Sequence, residues 1–147
     1  MKGKYNLLIR NNRVTYELEL QRNITIIKGI SGSGKTTLYR MFEDLVEGGR
    51  QVGIHCNCTD KLRILKSNTD WVKEITSSHN KIFIADEYID YITTQDFAKI
   101  AQNSDNYFIL ITRTGRAKWL TYSVDCIYSL STNYINGKAV TKFNKVY

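Results

Sequence analysis

Proline is missing from all 147 residues, and cysteine occurs only three times. An odd cysteine count leaves no complete disulfide framework, and Cys56 and Cys58 stand one residue apart rather than in a C-x-x-C pair. With His55 beside them a metal site is conceivable. Structural zinc, however, usually needs four ligands at recognisable spacings, so reduced structural thiols are the expectation. No apolar run approaches the ~18 residues of a membrane span. Met1 to Tyr5 lead into alternating rather than continuous apolar residues, which argues against a signal peptide. The expected location is therefore cytoplasmic. Low-complexity tracts and internal repeats are also lacking. The plentiful Asn, Lys, Ile and Tyr fit AT-rich coding, which speaks to origin rather than mechanism.

What is present reads as ordinary globular protein, with 42% apolar and 24% charged residues. The length fits one domain over 1–147. The formal charge of +7 is spread along the chain. It suits a polyanionic partner, whether nucleic acid or nucleotide phosphate, or simply a solvated basic surface.

Periodicity sketches the elements. Tyr5 to Ile9 and Val14 to Leu20 alternate as strands around an Asn11-Asn12 turn, and Asn23 to Lys28 is a β-branched run. Leu38, Met41, Phe42, Leu45 and Val46 make one apolar helix face that stops near Gly48-Gly49. Val52 to Cys56 and Leu62 to Leu65 are short strand candidates, and Asn68 is placed to cap a helix carrying Trp71, Val72 and Ile75. Ile82 to Ala85 and Tyr107 to Thr112 are continuous apolar runs. Between them, Thr93 and Asp96 have capping-box spacing before Phe97, Ile100 and Ala101. Cys126 to Leu130 reads as a strand, and Asn136-Gly137 marks a hairpin. Strands alternating with helices, the central ones apolar on both faces, predict an α/β domain with a mostly parallel sheet and antiparallel strands at the N-terminal and C-terminal ends.

Two motifs carry chemistry. Gly29-Ile30-Ser31-Gly32-Ser33-Gly34-Lys35-Thr36, with Thr37 after it, satisfies G-x-x-x-x-G-K-[ST] between a strand and an amphipathic helix. Glycines let the backbone curl so that successive N–H groups face phosphate oxygens, and the helix start adds its orphan donors. Lys35 would supply a point charge to the β and γ phosphates, and the Thr36 hydroxyl would ligate Mg²⁺. The second motif is the apolar run ending in Asp86-Glu87. A carboxylate at the tip of a central parallel strand lies beside such a cradle. Asp86 would then hold Mg²⁺ and Glu87 would orient the attacking water.

On these two motifs the chain resembles P-loop NTPases of the additional-strand, catalytic-glutamate class, which includes ABC, RecA-like and AAA+ proteins. The resemblance spans roughly Asn23 to Leu130. It implies a three-layer P-loop fold in which an inserted strand, here Tyr107 to Thr112, separates the P-loop strand from the Asp-Glu strand. It also makes Thr112 and Arg113 candidate sensors of the γ-phosphate, with Arg113 counted among the catalytic residues. No LSGGQ-like signature, C-terminal helical lid or NKxD motif accompanies the match.

Arg113, Arg116, Lys118 and Trp119 form a basic segment after that strand. It suits an arginine finger or sensor, a nucleic-acid contact with Trp119 stacking on a base, or a solvated loop. Tyr88 and Tyr91 flank Asp90, where one of them could touch a base; packing is the commoner use. His55 and His79 are isolated. The leading expectation is an ATPase: Mg²⁺-dependent binding and hydrolysis of ATP, coupled to a partner protein, to self-association or to nucleic acid. A small P-loop kinase with Arg113 and Arg116 in a lid, and a nucleotide-gated binding module without turnover, stay open.

Overall fold

Alternation dictates the first two strands. In β1 (Lys4–Arg10) and β2 (Val14–Gln21) Leu7, Ile9, Tyr16, Leu18 and Leu20 are buried while most of their neighbours face water. They pair antiparallel, Arg10 opposite Thr15. Their turn is closed by Asn11, whose Oδ1 accepts from Arg13 N and Val14 N at 2.8 and 2.9 Å. The computed structural model describes residues 3–21, 23–29, 34–48, 53–86, 88–112 and 121–146.

The continuous apolar runs become strands covered on both faces. These are β3 (Ile24–Lys28), followed by helix α1 (Lys35–Gly48); β6 (Ile82–Asp86); and β7 (Tyr107–Thr112). Between α1 and β6 come the short strands β4 (His55–Cys56) and β5 (Leu62–Ile64) and helix α2 (Trp71–Ser77). Helix α3 (Gln95–Asn103) precedes β7, and β8 (Ile127–Ile135) and β9 (Lys138–Lys145) end the described chain. The strands form one nine-stranded mixed sheet in the order β4-β1-β2-β9-β8-β3-β7-β6-β5. From β8 to β5 all neighbours run parallel. The molecule is thus α/β, with three α-helices and a mixed sheet among the described residues.

This sheet cannot be flat. Nine strands at ~4.8 Å spacing would hold β4 and β5 roughly 38 Å apart. The six residues from Cys56 to Leu62 reach at most ~22 Å. The sheet therefore curls until its edges approach, and Tyr5 of β1 lies 6.0 Å from Tyr107 of β7, whose hydroxyl donates to Gly3 O at 2.7 Å. Leu38, Met41, Phe42 and Leu45 of α1 fill the concave side against Leu7, Ile9, Leu18, Ile84 and Ile109. On the convex side α2 and α3 press Ile75, Phe97, Ala98 and Ala101 onto Ile24, Ile26, Phe83, Phe108 and Leu110. Stacking of Phe83 on Phe108 at 5.2 Å and the edge of Phe97 at 5.9 Å make this the aromatic core.

Several local expectations need correction. Val46 is 40% exposed, because helix α1 buries a narrower stripe than its apolar residues allow. Helix α3 is capped by Thr94, whose side chain accepts from Phe97 N. Thr93 instead donates to Asp90 O within a 3-10 turn. Asp70, and not Asn68, caps α2. Of the expected Val52 to Cys56 strand only His55–Cys56 is a described strand, and Val52 lies outside the described residues. The Cys126 to Leu130 strand is the first half of a longer one, since β8 runs to Ile135 before Asn136 and Gly137, both at positive φ, turn the chain into β9. The antiparallel strands expected at the two chain ends are present as β1–β2 and β8–β9, and because β2 pairs parallel with β9 both hairpins extend the same edge of the sheet.

Candidate functional site

Strand β3 and helix α1 bring Gly29 and Gly34 to the two ends of the glycine-rich motif; Ile30, Ser31, Gly32 and Ser33 lie outside the described residues. Gly34 has φ +97°, a conformation that side-chain-bearing residues avoid. Its carbonyl accepts Leu38 N at 3.0 Å, the first helical bond, and also the Tyr16 hydroxyl at 2.8 Å. Tyr16 is 1% exposed. Burial pushes its phenol up to about 12, with a hydrogen bond to Thr37 opposing the shift, so at neutral pH it is a neutral donor. An added Cβ on Gly34 would sit 3.2 Å from that hydroxyl. Tyr16 thus fixes the corner where the motif enters the helix. Alternation in β2 placed Tyr16 inward, but only pairing across the curled sheet puts it beneath Gly34.

Lys35 opens α1 and is 3% exposed. Its Nζ donates to Gly29 O at 2.6 Å, so the ammonium spans the gap between the strand end and the helix start. A buried ammonium needs acceptors, and the main chain of the motif supplies one. Thr36 and Thr37 are exposed in the first turn of a 14-residue helix, at the positive end of its dipole.

Asp86 closes β6. It shares a row with Ile111 of β7, which is itself level with Ile27 of β3. Alternation with Ile82 and Ile84 puts Asp86 on the face of α1. Its carboxylate reaches that helix electrostatically: Tyr39 in the second turn of α1 has a raised phenol, first through burial, then through Glu43 and Asp86. Asp86 Oδ1 also accepts Tyr88 N at 3.2 Å, which shapes the turn after the strand. Glu87, Arg113, Arg116, Lys118 and Trp119 lie outside the described residues. Thr112 is fully buried, and by alternation belongs to the opposite face, with Phe108 and Leu110.

Thr36 and Asp86 carry hard oxygen donors of the kind that Mg²⁺ takes. Among the described residues no group of three or more His, Cys, Asp and Glu side chains is placed to hold a metal. Tyr91 packs flat on Trp71 at 5.5 Å and donates to Lys66 O at 2.7 Å, so it belongs to the core rather than to a base. Tyr88 is 70% exposed, His55 is exposed, and His79 pairs with Asp105 at 2.9 Å. A cavity of about 1110 Å³ lined by Asn23, His79, Lys99 and Asp105 opens at the other end of the strands, away from Lys35 and Asp86. No described helix is long and apolar enough to cross a membrane. No family model matches the chain, and comparisons with curated proteins and with solved structures return no significant match.

Proposed function

We propose that the chain is a P-loop NTPase that binds ATP with Mg²⁺ and hydrolyses it. The observation that carries the reading is the juxtaposition of the buried Lys35 ammonium, bridging Gly29 and the start of α1, with Asp86 on the same face two strands away. The strand between them is β7, the order that the additional-strand class implies. One acceptor of the Lys35 ammonium is the neutral Gly29 carbonyl, and phosphate oxygens are stronger acceptors than a carbonyl by their charge. The start of α1 would bring the positive end of its helix dipole to the same anion. Gly34, locked by Tyr16, holds that helix start at a fixed angle to β3. Bound Mg²⁺ would neutralise charge on the β and γ phosphates, with Thr36 and Asp86 as its protein ligands. Glu87, next after Asp86 in sequence, would accept the proton of the attacking water, with Arg113 as a further cation at the phosphates.

Phosphate release from ATP and GTP, with and without DNA, RNA or a protein partner, tests the proposal. Glu87→Gln should bind ATP yet turn over poorly, and wild-type-like turnover in that variant removes Glu87 from the mechanism. Tight binding with negligible release in every condition would replace the ATPase with a nucleotide-gated binding module.

A further inference from the structure

Where the two edges of the curled sheet approach each other, residues 54–61 line a cavity of about 540 Å³ that includes Cys56 and Cys58. The residue between them is anchored three times to β1. Asn57 N donates to Leu8 O at 3.1 Å, Asn57 Nδ2 donates to Asn6 O at 2.8 Å, and Asn57 Oδ1 accepts from Leu8 N at 3.0 Å. The backbone on both sides is thus held by the sheet, and the two Sγ atoms stand 3.8 Å apart as free thiols. The gap to the ~2.05 Å of a disulfide is less than ~2 Å.

The sulfurs are not equivalent. Cys56 is partly exposed, whereas Cys58 is 7% exposed. The Cys58 thiol hydrogen-bonds to Cys56, which lowers Cys56 to about 7 against the opposing effect of burial, and Cys58 N donates to Cys56 Sγ at 3.4 Å. The same bond pushes the Cys58 thiol up, so Cys58 holds the shared proton. Lys61, whose ammonium lies 5.7 Å from the Tyr5 ring centroid, favours a thiolate at Cys58.

We propose that Cys56 and Cys58 form a reactive dithiol that accepts small-molecule disulfides, with Cys56 attacking and Cys58 resolving. The Cys56 thiolate attacks one sulfur of R–S–S–R; that bond breaks, a mixed disulfide forms, and RS⁻ leaves and takes a proton from water. Capping Cys56 removes the negative charge that held the proton on Cys58. Cys58 then loses its proton to solvent, attacks the Cys56 sulfur and expels the second thiol. The balance is two protein thiols and one small disulfide giving one internal disulfide and two small thiols. A zinc chelate is the competing use of the pair, but among the described residues no third ligand completes a cluster.

Oxidised glutathione is the probe, in a Cys126→Ser background. The chain with both cysteines should lose two hydrogens, mapped to Cys56 and Cys58, and retain no glutathione. Cys58→Ser should keep one glutathione on Cys56, released by dithiothreitol, while Cys56→Ser should react about tenfold more slowly. Equal rates in the two variants, no internal disulfide in the parent, or stoichiometric zinc that blocks the thiols would overturn the proposal. Should the variants fail to fold, peptide mapping of the unaltered chain after oxidised glutathione still decides: a Cys56–Cys58 disulfide supports the proposal, and its absence refutes it.

Discussion

The two halves of the sheet are built on different physics. From β3 through β7 to β6 every central residue is buried on both faces, held between α1 and the α2–α3 pair. From β1 through β2 to β9 only the concave face is covered, and the convex face meets water with weak ion pairs such as Lys4–Glu19 and Lys142–Glu17, both at 3.3 Å. Lys35 and Asp86 hang from the doubly covered half. The half covered on one face contributes Tyr16 to the same place. A doubly buried half gives rigidity to the groups that face the candidate site, while the curl of the other half adds a brace that no neighbouring strand supplies.

That contrast is open to attack by mutation. Phe97→Ala should cost most, about 3–5 kcal/mol in denaturant unfolding, because it empties the aromatic convex core. Lys35→Ala should leave unfolding close to the parent yet weaken ATP binding about 100-fold by titration calorimetry; unchanged affinity would remove the basis of the proposed function. Gly34→Ala forces a side chain into a φ of +97° and against Tyr16, and should cost about 1–3 kcal/mol while lowering nucleotide affinity. Tyr16→Phe should cost about 1 kcal/mol, measurable in the same unfolding curves. Leu8→Ala, on the wet face of β1, should stay within about 0.5 kcal/mol; a loss as large as that of Phe97→Ala would break the comparison.

pH sharpens the same contrast. Tyr16 and Tyr91 both have phenols raised to about 12, chiefly by burial. A raised folded-state value means that their stabilising contribution is complete below the unfolded value of ~10 and is lost as pH climbs through ~12. Unfolding free energy should therefore fall between those limits, and less steeply in Tyr16→Phe.

Sequence by itself determined the local elements and the chemical groups. Period-two alternation marked β1 and β2, unbroken apolar runs marked β3, β6 and β7, and the Gly29-to-Thr36 spacing marked where a strand hands over to a helix. Alternation says that a face is buried and leaves open what covers it. Backbone pairing has no sequence code of its own, so only the tertiary structure decided that β9 lies parallel to β2. Tertiary structure also decided that the sheet curls far enough for β1 to pack on β7 and that α1 fills the concave side. The same curl made Tyr16 a partner of Gly34, and the pairing of β4 with β1 made Asn57 an anchor between two cysteines. These contacts join residues far apart in the chain, and a closure of six residues across nine strands selects them in a way that no local pattern can record.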